Sequence, residues 1–488
     1  MVSLRVIASA LGVETADVEL RALCNDTRKV TTGSLFIALK GLNFDARKEI
    51  GNAIKAGAVA VIYEDTGDGF VPDMENYDVP CIGVPGLAEK QSLVASAFYG
   101  CPSAGLDLIG VTGTNGKSTI THLIATWLTA LGRKTGILGT LGTGFYPNLI
   151  PCANTTLAAI DLERTISELS NDGAKAIAME VSSHGIALKR VSELKFKIAA
   201  FTNLSRDHLD FHKTMKNYAE TKFQLMKSVL PEMCVINADD STGVEFISRI
   251  PEALTYSKQG LYGGRGIYAH DIVYYPHGIN FKVSGSYGDA EFTIPLIGSF
   301  NVDNVLCAIG VLLLCGYSLK EMEKTAGVLR AVTGRMECFS NKNTPLLIVD
   351  YAHTPDGLEK ALAAVKEHKF GKITCICGCG GDRDAGKRPE MAAIACGMAD
   401  HVIFTNDNPR TENPDSIIEM MLAGVKDCSN YEVVKDRRSA IEVAFSKSVP
   451  GDVLLIAGKG HEDYQIIGKT KYHYSDREVA MELTGDRK

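Results

Sequence analysis

From Leu108 to Thr119 an apolar run ends in the glycine-rich turn Gly113-Thr-Asn-Gly116, and the turn ends in Lys117, Ser118 and Thr119. That order suits a nucleotide. The N–H groups of the turn, Thr114 and Asn115 included, and the positive end of the following helix face phosphates. Lys117 would reach the terminal phosphates and the Ser118 hydroxyl would sit on Mg²⁺. The usual phosphate loop has glycine where Val111 stands, so this is the shorter G-x-x-G-K-S form. An ordinary glycine-rich turn would not need Lys, Ser and Thr in these places.

Further polar clusters follow apolar runs. Glu180, in Met179-Glu-Val-Ser-Ser-His184, is a strand-end carboxylate of the kind Mg²⁺ takes as a hard oxygen donor, although a solvated glutamate would look the same. Thr202 to His212 packs Asp207, His208, Asp210 and His212 together, a density that points to a metal or phosphate site. Asn154-Thr-Thr156 is a weaker polar loop that could equally cap a helix. By pattern alone, Lys222 is a surface lysine.

These residues need strands and helices to hold them. Ile120, Leu123, Ile124, Trp127, Leu128 and Leu131 recur at helical spacing directly after the turn. Strand and helix patterns alternate from about Leu106 to Ala331 and again after Arg335, which predicts parallel sheets. Strands are expected at Ser34–Leu39, Ala58–Tyr63, Ile109–Val111, Ala176–Met179, Ile198–Phe201, Cys234–Ile236, Pro345–Asp350, Ile373–Cys377, His401–Phe404 and Asp452–Ile456. Residues 267–295 read as an antiparallel insertion. The expected class is α/β with three domains: a small N-terminal α/β domain (1–97), a central phosphate-loop ATPase domain with a parallel sheet (98–332) and a Rossmann-like C-terminal domain (333–488).

With 488 residues, three domains of roughly 150 residues are reasonable. A net charge of −7 without a basic block speaks against a nucleic-acid partner. The apolar stretch 305–319 is too short for a bilayer and reads as a buried helix, so no membrane insertion is expected. The N-terminus has no signal-peptide pattern, and a soluble cytoplasmic protein is expected. Thirteen scattered cysteines read as thiols. Cys375, Cys377 and Cys379 share one strand face at a spacing wrong for zinc pairs, which predicts core packing.

With these motifs in view, the chain resembles the Mur ligases, the ATP-dependent amide-forming enzymes of peptidoglycan assembly. In order come G-T-N-G-K-S, E-V-S-S-H at Glu180–His184, N-x-x-R-D-H-L-D-x-H at Asn203–His212, Y-x-x-x-K at Tyr218–Lys222, G-x-F-N-x-x-N at Gly298–Asn304, G-R-M-E at Gly334–Glu337 and D-Y-A-H-T-P-D at Asp350–Asp356. The match runs nearly end to end and is most similar to the members that add the third peptide residue.

The resemblance implies roles. Asn304, Arg335 and Asp350 would contact ATP, with His353 near the phosphates. Ser118, Glu180, His208 and Lys222 would hold Mg²⁺, Lys222 as a carbamate. Asn154, Thr155, Thr156, Ser182 and Arg190 would hold the dipeptide end of UDP-MurNAc-L-Ala-D-Glu. Some relatives carry Gln where Leu188 stands. Asn25, Thr27 and the turn Leu42-Asn-Phe44 would bind the uridine diphosphate. The D-N-P-R form at Asp407, Asn408, Pro409 and Arg410 resembles enzymes that take meso-diaminopimelate, with Arg383, Gly458 and Glu462 completing the pocket. An arginine can grip the second carboxylate that lysine lacks. The expected protein is a monomer serving cell-wall synthesis, and through it cell shape and division.

Rivals are a lysine-adding relative, which should lack Arg410, and a folylpolyglutamate-type ligase, which should lack the uridine-binding unit. From another class comes a phosphate-loop ATPase switch, which would need no amino-acid loop.

Overall fold

The computed structural model describes residues 1–486 apart from 42–43, 74–77, 153, 369–370 and 427. The chain divides into two compact units. One comprises Met1–Tyr256, Tyr262–Gly266 and Cys307–Tyr317; the other comprises Ser257–Leu261, Ile267–Leu306 and Ser318–Lys488.

The first unit opens with a four-stranded parallel sheet in the order Ala22–Cys24, Ser34–Ala38, Ala58–Asp65, Cys81–Pro85. The Ser34–Ala38 strand is buried throughout, as its unbroken apolar run requires when both faces are covered. Beyond it lies the central sheet. Its parallel strands run Thr135–Gly139, Ala176–Glu180, Asp107–Thr112, Phe196–Phe201, Cys234–Asn237, Leu254–Ser257. Two short antiparallel strands, Gly142–Phe145 and Asn148–Ile150, extend the Thr135–Gly139 edge. The sequence reading did not foresee this edge, because its glycines dilute the strand signal.

Strand order positions the site. Asp107–Thr112 lies between Ala176–Glu180 and Phe196–Phe201, with Glu180 opposite Val111 and Phe201 opposite Thr112. Three loops therefore leave one carboxyl edge side by side, where open α/β sheets place ligands.

In the second unit Gly266–Tyr275, Gly278–Gly285 and Ala290–Ile294 pair antiparallel, as the insertion pattern suggests. A six-stranded sheet runs Glu337–Phe339, Leu346–Asp350, Val453–Ala457, Ile373–Cys377, His401–Phe404, Tyr431–Val433, parallel except for its first strand. Cys375, Cys377 and Cys379 are buried in one core with Met391, the Cys379 Sγ lying 3.7 Å from the Met391 Sδ. The apolar stretch from Val305 falls in the helix Phe300–Leu314. Among the described residues, no helix is long and apolar enough to cross a membrane.

One carboxyl group is buried at a cost. Glu163, on the helix Ala159–Asn171, is fully buried, and neither of its oxygens has a hydrogen-bond partner. Burial, with Glu193 nearby and Lys195 in partial opposition, pushes its pKa up to about 7. The folded state then holds a proton that the unfolded state releases. Stability from this group is full below about pH 4.5 and is lost as pH rises through about 7, by ~3 kcal/mol at most. Glu163→Gln is expected to raise the melting temperature relative to wild type at pH 8 and not at pH 4.5. Scanning calorimetry across this range checks it; a difference independent of pH would refute it.

Candidate functional site

The loop after Asp107–Thr112 is tightly fixed. Gly113 has φ +152°, and a Cβ there would lie 1.9 Å from the Thr202 hydroxyl, so only glycine fits. The Thr202 Oγ1 donates to the Asn115 carbonyl at 2.7 Å, and the Asn203 Oδ1 accepts from the Asn115 N–H at 2.9 Å. Gly116 is left-handed at φ +86° and opens the helix Lys117–Ala130. The Lys117 ammonium donates to the carbonyls of Gly113 at 3.0 Å and Thr114 at 2.7 Å. Burial lowers its pKa, against the pull of Glu180 and Asp207.

Glu180 stands at the neighbouring strand end, 1 % exposed. Its Oε1 accepts from the Thr140 N–H at 2.8 Å and its Oε2 from the Thr140 hydroxyl at 3.2 Å. A Cβ on Gly139 would lie 2.2 Å from Oε1, so a glycine there makes room for the carboxylate. Burial raises the Glu180 pKa, while Lys117, Thr140 and the Ser118 hydroxyl oppose that shift.

Lys222 is not on the surface as its pattern suggests. It is 1 % exposed, because the helix Met215–Met226 turns it inward, and its Nζ donates to the Gly113 carbonyl at 2.7 Å. Two lysines thus share one carbonyl oxygen. Burial first, and then the Lys117 charge, pull the Lys222 pKa down to about 6. His208 is left-handed at φ +52°, its Nε2 3.3 Å from the Asp207 carboxylate and its ring edge-on to His184 at 4.9 Å. Its imidazole makes no hydrogen bond to Glu180.

A buried carboxylate flanked by hydroxyls is the donor set a hard dication takes, and it fits Mg²⁺. Among the described residues no group of three His, Cys, Asp or Glu could hold a metal. Glu180 and Ser118 would supply oxygens there beside those of the phosphates.

Beside Glu180, the Thr140 and Thr155 hydroxyls are 2.9 Å apart. The Thr156 Oγ1 donates to the Glu180 carbonyl at 3.0 Å and accepts from the Ser182 N–H at 3.0 Å. The Arg190 Nη1 donates to the Thr156 carbonyl at 2.8 Å, and the Ser182 hydroxyl caps the helix Ser183–Ala187. These residues, with Asn154, form one patch next to the phosphate loop, and Leu188 is exposed. Sequence reasoning missed Thr140, whose role depends on strand order and which carries no motif; the Asn203–His212 motif contains Asn203 but gives it no role.

In the N-terminal sheet, Asn25 and Thr27 follow the first strand and Phe44 is 63 % exposed. Leu42 and Asn43 lie outside the described residues. Arg47, another residue the sequence did not single out, pins this loop by donating to Asp45 and Asp68 at 2.8–3.0 Å.

In the second unit Asn304 donates to Asn301 at 2.9 Å. The Arg335 guanidinium lies over the Tyr351 ring at 4.9 Å. Asp350 accepts from the N–H groups of Met336 and Ala352, each at 2.8 Å, and burial raises its pKa. His353 is exposed, with its Nδ1 2.8 Å from the Tyr351 carbonyl.

The same sheet gathers the other predicted pocket. Thr405 to Arg410 leaves His401–Phe404 and packs on the turn 378–381, where a Cβ on Gly381 would lie 1.9 Å from the Pro409 carbonyl. Arg410 is left-handed at φ +51°. Its Nη1 donates to the Gly381 carbonyl at 2.7 Å, and its N–H to the Ile466 carbonyl at 3.0 Å. Asn408 donates to Glu462 at 3.0 Å. A Cβ on Gly458 would lie 2.9 Å from Asp407, and Arg383 is exposed beside the turn. The hairpin of Tyr464–Ile467 and Thr470–His473, unforeseen from sequence, ties the loop down through Gln465, whose amide donates to the Asp407 carbonyl at 2.7 Å.

A phosphate loop with a buried carboxylate at the next strand end, and a second α/β sheet holding an arginine-bearing loop, define a nucleotide-dependent ligase of several α/β domains. The chain belongs to the Mur ligase family: the Mur ligase middle domain matches residues 111–312 and the Mur ligase glutamate ligase domain matches 334–460. It is 43% identical over 471 residues to the UDP-N-acetylmuramoyl-L-alanyl-D-glutamate–2,6-diaminopimelate ligase of Haemophilus influenzae strain PittGG, covering 96% of each chain. A solved structure of a ligase with the same name is similar at TM-score 0.76 and 33% identity, over 98% of both chains. A Mycobacterium tuberculosis folylpolyglutamate synthase complexed with ADP and AMPPCP shares the fold at TM-score 0.59 and 16% identity, over 76% of this chain and 92% of that one.

Proposed function

We infer that this chain joins meso-diaminopimelate to the D-Glu γ-carboxyl of UDP-MurNAc-L-Ala-D-Glu at the expense of ATP, in peptidoglycan precursor synthesis. The observation that carries this is the end-to-end similarity, at 43% identity, to an enzyme named for that reaction. The guanidinium of Arg410, fixed in a loop beside Glu462, supports the choice of amino acid. A folylpolyglutamate-type ligase would not need the N-terminal sheet, and an ATPase switch would not need the Asp407–Arg410 loop.

The reaction runs in two displacements. The γ-carboxylate attacks the γ-phosphorus of ATP, giving an acyl phosphate and ADP. The amine then attacks the acyl carbon, phosphate leaves and the nitrogen loses a proton. A carboxylate approaching a polyanion needs its charge offset. Lys117 and the N–H groups of 113–119 offset it at the phosphates, with Asn304, Arg335, Asp350 and His353 assigned to the nucleotide. Thr155, Thr156, Ser182, Arg190 and Asn154 orient the peptide carboxylate, while Asn25, Thr27 and Phe44 hold the uridine end. Ser118, Glu180, His208 and a carbamylated Lys222 would hold Mg²⁺, which when bound supplies further positive charge. Burial and the Lys117 charge, which pull the Lys222 pKa down to about 6, favour its unprotonated amine, the form that adds CO₂ with release of a proton. Substrates of this kind belong to the cytoplasm.

ADP release with the nucleotide dipeptide tests the assignment. Sustained turnover is expected only when an amino acid is also present, with kcat/KM for diaminopimelate at least about 100-fold above that for lysine. Equal use of lysine, or sustained ADP release over many turnovers without an acceptor, would overturn it.

A further inference from the structure

Lys459 has no role so far. It follows the strand Val453–Ala457 and is completely buried. A buried ammonium is costly unless it is paired and hydrogen-bonded, and this one is surrounded. Its Nζ donates to the Asn408 Oδ1 at 3.1 Å, lies 3.5 Å from the Glu462 Oε2 and 4.0 Å from the Asp407 Oδ1, and sits 5.7 Å from the centre of the Tyr464 ring.

The arrangement decides which way the Asn408 amide points. Its oxygen takes two donors, the Lys459 ammonium and the Ile466 N–H at 2.9 Å, so its nitrogen must face Glu462. Asn408 and Lys459 thus hold the same oxygen of Glu462 from two sides. A second cation completes the cluster. Arg437, also fully buried, forms a two-point pair with Asp476 at 2.8 Å and lies 4.0 Å from the Asp407 Oδ2, with one nitrogen, Nη1, lacking a hydrogen-bond partner. Asp407, Glu462 and Asp476 thus lie against two buried cations, Lys459 and Arg437. The five side chains lack one positive charge, which the ammonium of a diamino acid at Glu462 would supply.

We propose that Lys459 is a positioning residue for the amino-acid substrate: it locks the Asn408 amide and the Glu462 carboxylate in the one orientation that receives the substrate ammonium. This rests on the reading that Asp407–Arg410 and Glu462 take diaminopimelate. Without Lys459, Asn408 keeps one donor, its amide is free to turn over, and Glu462 loses its anchor.

The test is steady-state kinetics on the full chain with Lys459→Met, Glu462→Gln and the double variant. Lys459→Met is expected to raise KM for diaminopimelate about 30-fold, the equivalent of ~2 kcal/mol, with KM for ATP and for the nucleotide dipeptide within about threefold of wild type. The double variant should have a KM close to that of Glu462→Gln alone, because the lysine acts through the glutamate. An unchanged KM for diaminopimelate, a parallel rise in all three KM values, or single effects that multiply in the double variant would each overturn the proposal. If Lys459→Met does not fold, Lys459→Gln, which keeps a donor for Asn408 and loses only the charge beside Glu462, is expected to raise KM for diaminopimelate less than Met would and to add nothing to Glu462→Gln in the double variant. Wild type carries the control: failure to use diaminopimelate would defeat the functional reading itself, whatever Lys459 does.

Discussion

Lys117→Ala should lower kcat for ADP release by about 10³-fold, the scale on which removing one pre-positioned charge from a transition state acts. The structure explains why little else could replace it. The Lys117 ammonium is held over its own loop by two carbonyl oxygens, at 3.0 and 2.7 Å, so its place is set before any nucleotide arrives. The other lysine at that loop, Lys222, is committed to the Gly113 carbonyl, and burial pulls its pKa down to about 6. The fold should survive, because the Gly113 carbonyl keeps Lys222 as a donor and the loop stays tied to Thr202 and Asn203. Melting temperature and ADP release, measured together, check both halves. A variant within tenfold of wild-type kcat would show that Lys117 does not meet the phosphates.

Arg410→Ala should lower kcat/KM for diaminopimelate by about 100-fold while leaving that for lysine nearly unchanged, since a charge-assisted two-point contact with a carboxylate carries ~1.5–3 kcal/mol. Backbone strain does not confuse this test. Arg410 sits at φ +51°, and arginine and alanine both carry a Cβ, so the left-handed cost is common to both. The loop also keeps its main-chain bonds, the Arg410 N–H to the Ile466 carbonyl and the Gly468 N–H to the Arg410 carbonyl. What disappears is the guanidinium, whose Nη1 donates to the Gly381 carbonyl. Competition between the two amino acids, with product ratios read by mass spectrometry, gives the change directly. An unaltered ratio would remove Arg410 from amino-acid recognition.

Much of this site lies in short local patterns. Gly113, Lys117 and Ser118 are contiguous with the strand and helix that hold them, and a turn that presents N–H groups to phosphate needs only neighbours in sequence. The Asp407–Arg410 loop is legible for the same reason. Lys222 is different: nothing within several residues of it distinguishes it from a solvated lysine, and only the resemblance singled it out. Thr140, Lys459 and Arg47 went unseen because each works on a partner 21 or more residues away or on a neighbour whose direction a turn decides.

The amino-acid sequence by itself determined the α/β class, the phosphate-binding turn and the arginine-bearing loop, since these follow from periodicity and from side chains adjacent along the chain. Tertiary structure alone decided that Asp107–Thr112 lies between Ala176–Glu180 and Phe196–Phe201. That order brings Glu180, Thr202 and Lys222 onto one loop, and burial there pulls the Lys222 pKa down to about 6. Strand order depends on which faces can be covered together across long separations, and burial sets the solvation of every charge; neither is written in any one segment.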